Sequence, residues 1–103
     1  MAFRLKWSPE AVEDIESIAR YIEKDSAFYA KAVVRKIVET AERLREFPEM
    51  GRIVPELGRK DIREIIIYSY RMVYQLTEKQ ILVVAIIHAK RSFENAMEYY
   101  DLQ

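Results

Sequence analysis

No cysteine occurs in these 103 residues, which excludes disulfides, thiolate catalysis and Cys-ligated zinc. A single histidine is too few for a histidine-built metal centre, so no metal and no cofactor are expected. Glycine is scarce as well. The two present, Gly51 and Gly58, stand apart and form no phosphate-cradling loop, dinucleotide fingerprint or nucleophile elbow, which disfavours nucleotide hydrolysis. No apolar run approaches the roughly 18 residues of a membrane span. The first residues lack the basic-then-apolar pattern of a secretory signal, so a cytoplasmic protein away from membranes is expected. Neither sign of charge is in excess: seventeen basic residues face seventeen acidic ones, and any polyanion site must be local.

What is present reads as one globular domain over residues 1–103, half hydrophobic and one third charged, without repeat or linker. Phe3, Leu5 and Trp7 alternate with Arg4 and Lys6, the period of a half-buried strand over residues 2–7. Ser8 before Pro9 is an N-cap with proline at the first helical position, and Glu10, Glu13 and Asp14 suit the positive end of a helix dipole. Ala11, Ile15, Ile18 and Ile22 carry that helix to about Lys24. Asp25 or Ser26 caps a second helix with Ala30, Val33, Val34, Ile37, Ala41 and Leu44 on one face, ending near Phe47 because Pro48 disfavours helix in the residue before it. The short link makes the two helices an antiparallel hairpin whose apolar faces need a sheet.

Residues 47–61 hold Pro48, Gly51, Pro55 and Gly58 and form the one long loop. Three strands follow, Ile62–Tyr68, Tyr70–Leu76 and Ile81–Ala89, joined by gaps that permit only antiparallel hairpins. The last is apolar at both parities, as in a strand buried on both faces. The middle one puts Met72, Tyr74 and Leu76 on a core face and Arg71, Val73 and Gln75 on the other. Ser92 caps a short C-terminal helix carrying Phe93, Ala96, Met97 and Tyr100. The expected fold is α+β: β-α-α-β-β-β with a short C-terminal helix, the helical hairpin packed on one face of a curved, mostly antiparallel sheet.

Charge is unevenly placed. Residues 10–49 hold seven basic and ten acidic residues, whereas 51–91 hold eight basic and four acidic. Arg52, Arg59, Lys60, Arg63, Arg71, Lys90 and Arg91 all come from the part without helical cover, so a basic patch on the open sheet face or its rim is expected to bind a target or RNA. The bland alternative is a solvated surface. Tyr70, Arg71, His88 and Arg91 are the residue types that could help an RNA 2′-hydroxyl attack its neighbouring phosphate, which needs a base, an acid and cations on the developing charge. A lone strand-end histidine is more often structural. Tyr68, Tyr70 and Tyr74 could stack on bases, although tyrosine is also an ordinary strand residue.

Four segments in order, Leu5-Lys-Trp-Ser-Pro-Glu-Ala-Val-Glu-Asp-Ile15, Phe47-Pro-Glu-Met-Gly-Arg-Ile-Val-Pro-Glu-Leu57, Tyr70-Arg-Met-Val-Tyr74 and Ile86-Ile-His-Ala-Lys-Arg91, resemble the RelE/ParE toxin superfamily of type II toxin–antitoxin systems. The resemblance implies a plasmid-stabilisation type toxin neutralised by a cognate antitoxin, as a toxin–antitoxin hetero-oligomer or a homodimer. RelE-like members cut messenger RNA on the ribosome, and this implies catalytic roles for Tyr70, Arg71, His88 and Arg91. ParE-like members inhibit DNA gyrase without a nuclease site. The neutral charge, the long helices and the Pro-Glu-Met-Gly-Arg loop resemble the ParE-like branch, so gyrase inhibition is the expectation. Ribosome-dependent mRNA cleavage is the alternative, and an inactive antitoxin-binding relic the second.

Overall fold

The computed structural model describes residues 2–90. The C-terminal helix expected from Ser92, and Arg91, lie outside the described residues. Five strands and two helices follow in the order β1 (Arg4–Trp7), α1 (Pro9–Glu23), α2 (Ala27–Leu44), β2 (Arg52–Ile53), β3 (Ile62–Ile67), β4 (Tyr70–Leu76) and β5 (Gln80–His88). They form an α+β fold with a mixed sheet of order β1-β5-β4-β3-β2. Only β1 and β5 run parallel; the other pairs are antiparallel. β2 is an addition to the expected order, a two-residue strand inside the long loop.

Both helices begin as their caps dictate. The Ser8 side chain accepts from the Ala11 N–H, with Pro9 at the first helical position, and Ser26 accepts from the Tyr29 N–H. α2 stops at Leu44 rather than Phe47: Arg45 and Glu46 donate to carbonyls three residues back, and this tight final turn consumes the chain before Pro48. Helix α1 lays Ala11, Ile15, Ile18 and Ile22 on the sheet, and α2 adds Ala30, Val33, Ile37, Ala41 and Leu44. Met72, Tyr74, Ile81, Val83 and Ile86 meet them from the sheet and complete the main core.

The opposite face of the sheet is not an open platform. Val54, Ile62, Val73, Val84, Ala85 and Ile87 form a second buried cluster, with Leu57 and Leu82 against it. The loop after β2 folds back to cover it. Val54 donates to Ile62, Leu57 and Gly58 donate back to Val54, and Gly58 takes the positive φ of 63° that this turn demands. The sequence pattern of β4 marked Val73 as a residue of an uncovered face; it is fully buried, because the loop supplies the missing layer. At the other end of the loop the buried Tyr74 hydroxyl donates to the Pro48 carbonyl at 2.7 Å and accepts from the Gly51 N–H at 3.0 Å. A Cβ at Gly51 would stand 2.7 Å from that hydroxyl and 2.8 Å from the Glu64 carbonyl, so no larger residue fits.

Candidate functional site

The sheet divides Tyr70, Arg71 and His88, the described residues expected to cleave RNA, between its two sides. Tyr70 and His88 are cross-strand partners at the joined ends of β4 and β5, with ring centroids 5.7 Å apart in an edge-to-face contact. Both lie on the helix side and line an open cleft of about 600 Å³ with Asp14, Ile18, Tyr21 and Tyr29. Burial, and then the nearby Tyr29 and Tyr21 hydroxyls, push the Tyr70 phenol above its usual range. His88 Nδ1 accepts from the Lys90 N–H at 3.2 Å. Along the same margin, Ser8 Oγ donates to the Val84 carbonyl and the Asp14 carboxylate accepts from the Ile86 N–H at 2.9 Å. The cap of α1 and a side chain of its second turn thus satisfy β5 where β1 has left it.

Arg71 points to the other side, and it is not an accessible cation. Only 6% of the residue is exposed. Its Nη1 and Nη2 donate to the two carboxylate oxygens of Glu56 at 2.9 and 3.0 Å, and its Nε donates to Glu64 Oε1 at 2.7 Å. Glu64, 1% exposed, receives Arg52 on its other oxygen at 2.7 Å. The result is a chain of alternating charge, Arg52–Glu64–Arg71–Glu56, that sums to zero. Its hydrogen bonds to Glu56 above all, against the opposing effect of burial, hold the Arg71 guanidinium above its usual pKa. Bidentate pairing of this kind fixes both position and charge.

The rest of the expected basic patch is dispersed. Arg59 is paired with Asp61 through two hydrogen bonds, and this bond lowers the Asp61 carboxyl below its ordinary value. Arg63 donates to the Lys60 and Gly51 carbonyls. Lys60 and Lys90 are exposed. Of the four residues expected to do chemistry, the structure brings Tyr70 and His88 together, places Arg71 on the far face, and leaves Arg91 outside the described residues. Within that described set no base, acid and uncommitted cation converge on one point. Neither does any group of three or more His, Cys, Asp or Glu side chains stand ready to hold a metal ion.

The sequence model of a family described as the ParE toxin of the type II toxin–antitoxin system parDE matches residues 5–93. The chain belongs to the ParE toxin family. Among curated relatives of this ParE-family chain, the Y4kP protein of Sinorhizobium fredii is 28% identical over 97 residues, covering 91% of this chain and 96% of that one. Toxin RelE2 of Caulobacter vibrioides is 29% identical over 86 residues, covering 82% and 93%. Among solved structures, a chain of the chromosomal ParDE system of Pseudomonas aeruginosa superposes with a TM-score of 0.70 at 21% identity, covering 86% of this chain and 98% of that one, and so shares its fold. The protein is the toxin of a type II toxin–antitoxin system, within the RelE/ParE superfamily.

Sequence reasoning on this ParE-family toxin missed Glu56 and Glu64, the residues that decide the state of Arg71. Glu64 carried a usable signal. The two-residue turn at Tyr68 and Ser69 sets the β3–β4 register with Ile67 opposite Tyr70 and Ile66 opposite Arg71. Glu64 then lies diagonally across from Arg71 on the same face, within reach of a long side chain. Glu56 carried none, since only the folded loop brings it there.

Proposed function

We propose that this toxin acts by binding, as a ParE-like inhibitor of DNA gyrase, and not by cutting RNA. The observation that carries the reading is the arrangement around Arg71: the cation that RNA cleavage would need is buried and neutralised by Glu56 and Glu64, on the opposite side of the sheet from Tyr70 and His88. Phosphoryl transfer from a 2′-hydroxyl needs positive charge free to meet the developing oxyanion beside the proton donor. The family match supports the same reading, and so does the absence of net positive charge on a protein that would otherwise work inside ribosomal RNA.

A cognate antitoxin is the partner this reading requires. The aromatic cleft between α1 and the β4–β5 ends, with Tyr21 and Phe28 70% and 85% exposed near the helix-hairpin tip, is the apolar surface it would cover. The similarity to Toxin RelE2 favours the second reading, ribosome-dependent mRNA cleavage. Pulse labelling of DNA and protein synthesis within minutes of induction, with plasmid topology from the same cells, separates the two. An early fall in DNA synthesis with linearised or relaxed plasmid is expected. An early fall in protein synthesis with breaks inside translated codons overturns the gyrase reading, and no growth arrest would leave only antitoxin binding.

A further inference from the structure

The turn that follows α2 offers a second surface, at the opposite end of that helix from the aromatic cleft. Phe47-Pro48-Glu49-Met50 is a β-turn closed by the Met50 N–H on the Phe47 carbonyl at 3.0 Å, with proline setting the backbone at its second position. The Tyr74 hydroxyl fastens this turn to the sheet: it donates to the Pro48 carbonyl and accepts from the Gly51 N–H, and the tyrosine itself is fully buried. The backbone is therefore fixed, yet two large apolar side chains are left outside it, Phe47 56% exposed and Met50 40%. They do not stand singly. With Pro48 and with Arg43 from the last turn of α2 they wall an open hollow of about 570 Å³, bordered by Glu49. Arg43 is exposed and pairs with no carboxylate among the described residues.

We propose that this hollow seats one aromatic side chain, a tryptophan or tyrosine, presented by the toxin's target protein. The guest is read from the walls. A guanidinium attracts the face of a ring, a phenyl group prefers a second ring offset or edge-on, and a thioether meets a ring at its edge, whereas an aliphatic guest gains contact area alone. A recess whose backbone is already fixed suits an anchor of this kind, because little is left to order when the guest arrives. The antitoxin is not the favoured occupant: its cleft lies at the other end of α2, and 18 residues of helix put about 27 Å between the two. A nucleobase is disfavoured because it brings phosphate, and residues 42–50 hold two basic side chains against three acidic ones. A second copy is disfavoured because Phe47 already belongs to the wall, and the turn has no further ring to offer as guest. The inference rests on the gyrase reading and names the surface by which the toxin holds that target.

The probe for the guest is N-acetyltryptophanamide, titrated by NMR against the whole chain isotope-labelled at its methionine methyl groups. The Met50 methyl signal is expected to move upfield under the indole ring current while that of the buried Met72 stays in place, and N-acetylleucinamide should move neither. For the target, purified gyrase is assayed for DNA supercoiling. Phe47→Ser with Met50→Ser, both exposed turn positions, should raise the toxin concentration for half-inhibition by about tenfold or more, with an unchanged circular dichroism spectrum. An equal response of Met50 to the two amides overturns the aromatic preference. Adenosine monophosphate acting at a lower concentration than the indole assigns the hollow to nucleic acid, and a Met50 signal that moves with chain concentration alone assigns it to a second copy; either overturns the proposal. So does a double variant as potent as the parent chain. A parent chain that leaves supercoiling untouched overturns the gyrase reading and with it this target, while Met50 still answers to the indole, so the two failures are told apart.

Discussion

The two faces of one sheet are built from different materials. Against the helices lies a layer of Ala, Val, Ile, Leu and Met contributed by both helices and three strands, with Tyr74 the polar-tipped side chain among its buried residues. Against the loop lies a small apolar cluster beside four alternating charges, two of them nearly inaccessible to water. On the first face any side chain of suitable volume serves. On the second, each charge is tolerable only because its neighbours are present, since removing one partner strands another in a poorly solvated place. The covering loop supplies only Val54 and Leu57 to the apolar layer and is held down by charged hydrogen bonds as well.

That contrast can be broken in order of size. Ile37→Ala, on the fully buried helix face, is expected to cost about 4 kcal/mol through lost burial and a residual cavity, read from urea unfolding. On the loop face Arg71→Met should cost about 3 kcal/mol, because Glu64 keeps only Arg52. Adding Glu64→Leu should then recover most of that loss, a result with no counterpart on the helix face, where two deletions add. The double variant also sharpens the functional reading: retained toxicity in folded protein shows that Arg71 serves the loop and not a reaction. Gly51→Ala, which drives a methyl into the Tyr74 hydroxyl and the Glu64 carbonyl, should cost about 2 kcal/mol.

The smallest effects are set by pH. Burial raises the Tyr74 phenol, so the native state holds its proton more tightly than the unfolded chain. Its contribution is complete below the unfolded value of 10.0 and is lost as pH rises through the higher native one, visible as a falling melting temperature in alkali. Asp61 works in the opposite sense. Its native value is lowered, so its contribution is present above 3.8 and fades as pH falls through the lower native value, and its partial exposure keeps that change slight.

Much of this fold was legible from patterning. Serine caps, the i, i+3, i+4 stripes and the apolar run 81–87 led to the helices and strands within a few residues, because each is a local consequence of periodicity. β2 was not legible, since a strand of two residues has no period and exists only because Glu64 and Arg63 lie beside it. The charge pattern was legible as a count and misleading as a surface: the basic excess of residues 51–91 is real, but Arg52, Arg59 and Arg71 spend their charge on carboxylates of the same segment. Two of the candidate site residues lie on opposite sides of the sheet for a simple reason. Tyr70 and Arg71 are neighbours in a strand, and neighbours in a strand face opposite ways.

The parallel pairing of β1 with β5 has a consequence for how the chain is made. Arg4 finds its partner at Gln80, and Ser8 its acceptor at Val84, 76 residues later. During synthesis β1 and the helical hairpin emerge before β5, the strand that will cover α1. β5 lies between β1 and β4, so until it arrives the first strand and the β3–β4 hairpin have nothing to join them. Compared with local turns and hairpins, so distant a contact carries a larger loop-closure cost. A chain that stops short of Gln80 therefore holds two unjoined parts of a sheet, and the fold closes only once β5 is present.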